Sequence, residues 1–371
     1  MTQTHDVDAI VIGAGPAGLA TSRELALRGV RHVVLERGSD VAHSWANLYD
    51  SLTLHTGRHM SSLPGMRFPR GTPLFVSRGR FVDYLREYAR HFELPVRARH
   101  HVERAERVHG GWRVHTNQGE IGSRSVVVAS GIISAPRVPA LPGRERFGGR
   151  VIHSVEYRRP APFVGRRVLV VGVGNSGGEI GSELARAGAQ VTVAVRSGAN
   201  VVPLTLLGLP IQYASYWLRR LPRPAQEVIV GWVRTLTELR RGPAVLPRPA
   251  HGPLDAIPLI GFNLVDEIRR GRVQVRGNLT ELTEGGALFS DGREEAFDDV
   301  ILATGFSAAI GFLRGLVRVD ERGFARRSDR VVSADQPDLY LVGHNYDATG
   351  GLWNIRMDAP RAAEMVARAS A

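Results

Sequence analysis

The chain is 371 residues long and 43% hydrophobic, with 42 glycines and a formal charge of +12, which describes a globular protein with room for two domains. It has no cysteine, and all 48 of its basic side chains are arginine. These counts exclude a disulfide relay, a thiol nucleophile, an iron–sulfur cluster, cysteine-ligated zinc, a Schiff-base lysine and a lysine-bearing P-loop.

Residues Met1 to Asp6 are too few and too polar for a signal peptide, so a cytoplasmic location is expected. The apolar run Asp8–Ile12 predicts a strand, Gly13-Ala14-Gly15-Pro16-Ala17-Gly18 a tight turn, and the stretch to Leu27 a helix. A second strand, His32–Leu35, ends at Glu36 and Arg37. Phe81–Phe92 has helical spacing, Val126–Val128 reads as a strand, and three prolines from Pro136 to Pro142 mark an extended linker. The first pattern then returns. Val168–Val171 leads into Gly172-Val173-Gly174-Asn175-Ser176-Gly177, a helix to Ala187 follows, and Val191–Val195 ends at Arg196-Ser197.

Helices are predicted at Tyr213–Leu221 and Pro224–Leu239, then strands at Val273–Val275, Ala287–Phe289, Val300–Ala303 and Leu339–Val342, and a closing helix over Met357–Arg368. The fold class is α/β, with two Rossmann-like dinucleotide-binding domains, one inserted into the other. The first domain takes residues 1–159 and 298–371. The inserted domain takes 160–297 and carries a helical insertion over about 200–260.

A pyrophosphate needs backbone N–H donors at a helix start and no side chain in its path. Gly13 and Gly172 allow the tight turn, Gly15 and Gly174 admit the pyrophosphate, and Gly18 and Gly177 let helix and strand pack closely. Glu36 can accept both ribose hydroxyls of an adenosine, which suits FAD or NAD and repels a phosphate. Arg196 and Ser197 suit a 2′-phosphate, unless Arg196 is simply one of many solvated arginines. FAD on the first turn and NADPH on the second is the favoured assignment. Without a cysteine pair, the electrons can pass to a quinone, to a redox protein, or to dioxygen with insertion into a substrate. The arginines are scattered, with no long basic run, so nucleic acid is not an expected partner. No metal site is expected either, since His100-His101 are adjacent rather than at ligand spacing.

Between the turns, Phe147-Gly148-Gly149-Arg150-Val151-Ile152-His153-Ser154-Val155-Glu156-Tyr157-Arg158, with Pro162 after it, matches every specified position of the pattern F-x-G-x-x-x-H-x-x-x-Y/F-K/R-x-x-x-P/D. The chain thereby resembles the class B flavin-dependent monooxygenases. Trp45, Tyr49–His55, Leu63–Pro69, Val171–Gly177 and Ile301–Phe306 make it most similar to the YUCCA-type indole-3-pyruvate monooxygenase branch and its bacterial relatives. The helical insertion from Val202 to Pro253 is similar too. Baeyer–Villiger members prefer tryptophan where Tyr157 stands. Ala129-Ser130-Gly131 departs from the usual Ala-Thr-Gly but keeps the hydroxyl, and the segment Gly343–Asn354 differs from the plant version.

The resemblance implies a flavin-containing monooxygenase that uses FAD, NADPH and O2. Such an enzyme acts through a C4a-(hydro)peroxyflavin on a small organic substrate, by N- or S-hydroxylation, or by carbonyl oxygenation or oxidative decarboxylation. The alternative is an NADPH-dependent flavin oxidoreductase that serves a quinone or redox protein without oxygen insertion. Residues expected at the FAD are Gly13, Gly15, Pro16, Ala17, Gly18, Glu36, Arg37, Trp45, His55, Gly343, Gly351 and Leu352. Those expected at the NADPH are Gly172, Gly174, Asn175, Ser176, Gly177, Arg196 and Ser197.

His55 stands where many relatives have an asparagine and is a candidate catalytic donor, or else packs on Trp45. Asn345 is the second catalytic candidate, placed with Asp347, Trp353 and Asn354 at the substrate. Gly350-Gly351 can start a helix against the flavin. His153 and Tyr157 shape the hinge or the nicotinamide side. The stretch Leu204–Arg220 is expected as a core helix with a solvated end, the alternatives being a membrane-surface contact or a gate over an apolar channel. The expected partner is a small-molecule substrate, without integral membrane association; a homodimer is left open.

Overall fold

The computed structural model describes residues 6–252, 254–345, 347 and 349–370. The leader reading on residues 1–5, Pro253 at the end of the insertion, and Tyr346 and Ala348 of the 343–354 segment lie outside them. Two compact units emerge, Met1–Ala135 with Phe306–Ala371, and Pro136–Gly305.

In the first unit, the strand Val7–Ile12 runs parallel to His32–Leu35 on one side and to Gly119–Val128 on the other. Val96–Arg97 extends one edge of this sheet, and Leu339–Leu341 pairs parallel with the 119–128 strand. The central strands are valine- and isoleucine-rich because both faces are covered, as parallel sheets require. Ala9, Val11, Val34 and Val127 pack on one face with the helices Pro16–Ala26, Arg78–His91 and Gly351–Ser370. Ile10, Ile12, Val33, Val126 and Val128 pack on the other. An antiparallel meander, Val102–Val108 and Gly111–Thr116, completes the sheet beyond the 119–128 strand.

The second unit repeats this plan with a five-stranded parallel sheet in the order 273–276, 190–194, 167–171, 299–302, 150–153. The strand Arg150–His153 pairs with Asp299–Leu302, so residues 136–159 belong to this unit. The sequence-based boundaries at 159/160 and 297/298 differ from the observed ones at 135/136 and 305/306 for that reason.

The insertion forms the predicted helices, at Ile211–Leu218 and Arg223–Arg241. The expectation of a core helix does not hold. In the 211–218 helix Gln212 is the one buried residue, and none is buried in the 223–241 helix.

Charge is spread through ion pairs. Glu267, fully buried on the helix Asn263–Arg269, accepts from Arg186 at 3.0 Å, Arg270 at 2.9 Å and Arg272 at 2.5 Å. Burial alone would raise its pKa. Hydrogen bonds from Arg272 and Arg186 overcome that and hold the carboxyl at about 2, against an ordinary 4.5. A carboxylate with a depressed native pKa stabilises the fold fully above its unfolded pKa and loses that contribution as pH falls towards the native value. Acid unfolding followed by circular dichroism should therefore show stability declining from about pH 4.5 towards pH 2. In Glu267→Gln that decline should be shallower, and stability at pH 7 lower by about 1–3 kcal/mol, the cost of the lost charge-assisted hydrogen bonds.

Candidate functional site

Each unit builds its glycine turn in the same way. Gly13 and Gly172 follow the first strand at φ +106° and +102°, a region that favours glycine. A Cβ on Gly13 would lie 2.7 Å from the Ala129 carbonyl oxygen, and one on Gly172 would lie 2.6 Å from that of Ala303. The turn is thus pressed against Ala129-Ser130-Gly131 in the first unit and Ala303-Thr304-Gly305 in the second. A Cβ on Gly18 would meet the Gly13 carbonyl oxygen at 1.8 Å, and one on Gly177 that of Gly172 at 2.0 Å. Nothing lies within 4 Å of a Cβ built on Gly15 or Gly174. Packing therefore explains the outer glycines of each turn, and the middle one faces open space.

Gly15 and Gly174 are also the residues that precede their helices, and neither helix start carries a side-chain cap. Bare N–H groups, the positive end of the helix dipole and unobstructed approach are what a dinucleotide pyrophosphate needs. Pro16 opens the first helix, where its missing N–H costs nothing.

Glu36 stands at the end of the second strand and is buried. Its Oε2 accepts from the Ala14 N–H at 2.9 Å and its Oε1 from the Gly38 N–H at 2.8 Å. A carboxylate has capacity for about four such bonds, so two remain for ribose hydroxyls. Arg37 beside it is exposed. The donor set and the open middle glycine fit a dinucleotide.

Gly343 packs on this turn from the far end of the chain. A Cβ there would come within 3.0 Å of Ala17 Cβ, and its φ is +81°. The helix Gly351–Ser370 starts just beyond, six residues earlier than the sequence periodicity suggested, with Leu352 buried. Thr56 on the strand Thr53–Gly57 lies against Gly350, where a Cβ would be 2.8 Å from its Cγ2. That contact puts the strand of half-buried His55 beside the helix start. Trp45 makes an edge contact with Phe81 at 4.8 Å and packs on the first core, which accounts for its position without a ligand.

Asn345 is committed within the fold. Its Oδ1 accepts from Arg327 at 2.8 Å, and its Nδ2 donates to the Arg330 carbonyl at 3.1 Å and to Asp358 at 2.6 Å. Asn354 is likewise tied, donating to the Asn345 and Gly350 carbonyls and accepting from Arg330. Asp358 is fully buried and paired with Arg330 at 2.7 Å; burial raises its pKa against the pull of Asn345 and Arg330. These groups anchor the start of the 351–370 helix. Asn345 was expected as a catalytic residue; both donors of its amide are engaged in this network, which suits a positioning role. Asp347 accepts from the Thr349 N–H at 2.8 Å, and Trp353 receives Arg356 over its ring at 5.5 Å. The Asn345 network was invisible in sequence, since it joins residues 327, 330, 345, 354 and 358.

In the second unit Arg196 and Ser197 are exposed just past the strand Gln190–Ala194. Arg196 has no carboxylate partner among the described residues. The Asn175 side chain is used structurally, accepting from the Ile260 N–H at 2.8 Å and donating to the Pro258 carbonyl at 3.3 Å. That leaves its backbone for the turn, with Ser176 next to it. The fingerprint residues serve the unit's own packing. His153 accepts from the Val155 N–H at Nδ1, which leaves Nε2 as the donor to the Gly305 carbonyl at 3.2 Å. Burial lowers its pKa. The Tyr157 hydroxyl donates to Glu183 at 2.8 Å.

Two glycine turns of this construction, with the fingerprint between them, define a two-dinucleotide flavoprotein oxidoreductase. The model of the flavin-binding monooxygenase-like family matches residues 7–325, and the chain belongs to that family. It is similar to the indole-3-pyruvate monooxygenase YUCCA1 of Oryza sativa subsp. japonica, 37% identical over 81% of this chain and 77% of that enzyme. A flavin-containing monooxygenase from Stenotrophomonas maltophilia superposes with a TM-score of 0.78 at 25% identity, covering 98% of this chain and 99% of that one. The bacillithiol disulfide reductase Bdr of Staphylococcus aureus shares the fold alone, with a TM-score of 0.72 at 19% identity over 97% of this chain and 98% of that one. The protein is a flavin-containing monooxygenase, of a family whose enzymes use FAD and NADPH with O2. Among the described residues, no helix is long and apolar enough to cross a membrane.

The glycine geometry separates two effects of the same substitution. Gly18→Ala and Gly177→Ala should lower the melting temperature sharply, because a Cβ there meets backbone. Gly15→Ala should leave the melting temperature of the flavin-free protein unchanged and weaken FAD binding in a titration. Gly174→Ala should do the same for the nicotinamide coenzyme.

Proposed function

We propose that the first unit binds FAD and the second NADPH, and that the enzyme inserts one oxygen atom of O2 into a small organic substrate. The observation that carries this is the divergence of two otherwise matching turns. One ends its second strand in Glu36, which suits ribose hydroxyls, and the other in exposed Arg196 with Ser197, which suit a 2′-phosphate. The bound flavin supplies the two-electron chemistry between NADPH and O2.

The chain's own residues bind and orient. The N–H groups after Gly15 and Gly174 take the pyrophosphates, and Glu36 fixes the adenosine ribose. Asn345, Arg330 and Asp358 hold the start of the 351–370 helix, whose N-terminal dipole would favour negative charge on a flavin bound there. His55 is the group we assign to donating a hydrogen bond at the reacting oxygen. The YUCCA relative is named for indole-3-pyruvate, which makes an aromatic 2-oxo acid the first substrate class to try, ahead of nitrogen and sulfur nucleophiles. A cytoplasmic setting is part of this proposal.

The two glycine turns would equally serve a second reading, electron delivery to a quinone or redox protein without oxygen insertion. Reduced, NADP⁺-bound enzyme mixed with oxygen in a stopped-flow spectrophotometer decides between them. A transient absorbance distinct from both oxidised and reduced flavin is the expected result, and direct return to oxidised flavin supports the second reading. His55→Ala should shorten that transient and uncouple NADPH consumption from product; unchanged coupling removes the role. Arg196→Ala should cost roughly 1–3 kcal/mol in kcat/KM for NADPH relative to NADH.

A further inference from the structure

The helix Arg223–Arg241 presents an apolar face to solvent. Val228, Ile229, Trp232, Leu236 and Leu239 fall within about 100° of its circumference at 3.6 residues per turn. All are exposed, Trp232 by 77% and Leu239 by 78%. The half-buried residues Val230, Val233 and Thr237 lie on the opposite side. The same insertion exposes Trp217 by 66% and Leu207, at the tip of a two-stranded hairpin, by 96%.

The charge around this face is one-sided. Residues 204–248 hold seven arginines and two carboxylates, Glu227 and Glu238. Both carboxylates project well away from the stripe, and they already pair with Arg223 and Arg248. Arg240, next to the stripe, and Arg234 are exposed without a carboxylate partner among the described residues. Arg220 lies over Tyr216 and Trp217 at 4.2 and 4.5 Å, an arrangement suited to an aromatic–cation belt.

We propose that this helix is a peripheral docking surface for an anionic phospholipid membrane. It lies in the headgroup plane with Trp232 and its neighbours in the acyl boundary and the arginines on lipid phosphates. A second copy of the chain fits less well. The stripe is about 18 Å long on a helix about 10 Å wide, well short of the roughly 800 Å² per partner of a stable interface.

Flavin-loaded full chain, sedimented with phosphatidylcholine vesicles or with equal parts phosphatidylcholine and phosphatidylglycerol, tests this. Binding to the mixed vesicles should exceed binding to the neutral ones at least about tenfold and fall steeply with added salt. Trp232→Glu with Leu236→Glu should abolish it, with flavin absorbance and melting temperature unchanged because both positions are exposed. Arg240→Gln, which leaves the stripe intact, should weaken it about fivefold. Equal binding to both vesicles, no binding, or binding unaffected by the double variant overturns the proposal. So does a dimer that the double variant converts to monomer without any vesicle binding.

Discussion

Where a helix follows a strand through a turn of three residues, its first turn of backbone lies against the carbonyl just past the strand's end. In this chain that approach occurs twice, at Gly18 over Gly13 and at Gly177 over Gly172, and in both places a single added carbon would overlap the oxygen. The rest of each unit follows from it. Closeness of helix and strand sets the layer spacing of the sheet, brings Ala129 or Ala303 against the turn, and leaves the middle glycine and its N–H groups facing outward. Binding capacity is a by-product of a packing constraint that the fold must satisfy anyway.

The two units then differ at the tips of their second strands. Glu36 is folded in against two N–H groups and stabilises the turn it serves, so its loss would be felt in both stability and binding. Arg196 lies in solvent and contributes nothing visible to packing. A residue that packing does not need is free to be chosen for the ligand, which is why the exposed member of the pair is the informative one for coenzyme choice.

Much of this could be read from sequence where the signal was local. The strands Val7–Ile12, His32–Leu35 and Arg167–Val171 are apolar runs bounded by glycine, and both glycine turns announce themselves by spacing. The strand Val102–Val108 was not foreseen, because Glu103, Arg104, Glu106 and Arg107 hide a half-exposed meander behind charge. In the insertion the helices are legible in sequence but the burial is not: Leu204–Arg220 reads as a core helix, yet Gln212 alone is buried in the 211–218 helix and Trp217 is exposed. The network around Asn345 is not legible in sequence, because a side chain's spare hydrogen-bonding capacity depends on partners that are far apart along the chain.

Lysine is absent, so apart from His115 the ion pairs among the described residues use a planar guanidinium, and around Glu267 three of them share one carboxylate. Such a cluster responds to heat differently from the apolar core. The hydration that opposes charge burial weakens as temperature rises, whereas the hydrophobic contribution per unit area levels off. The 263–269 helix, fastened by this cluster to the helix that follows the second glycine turn, is thus held by an interaction whose relative share of the stability grows on warming.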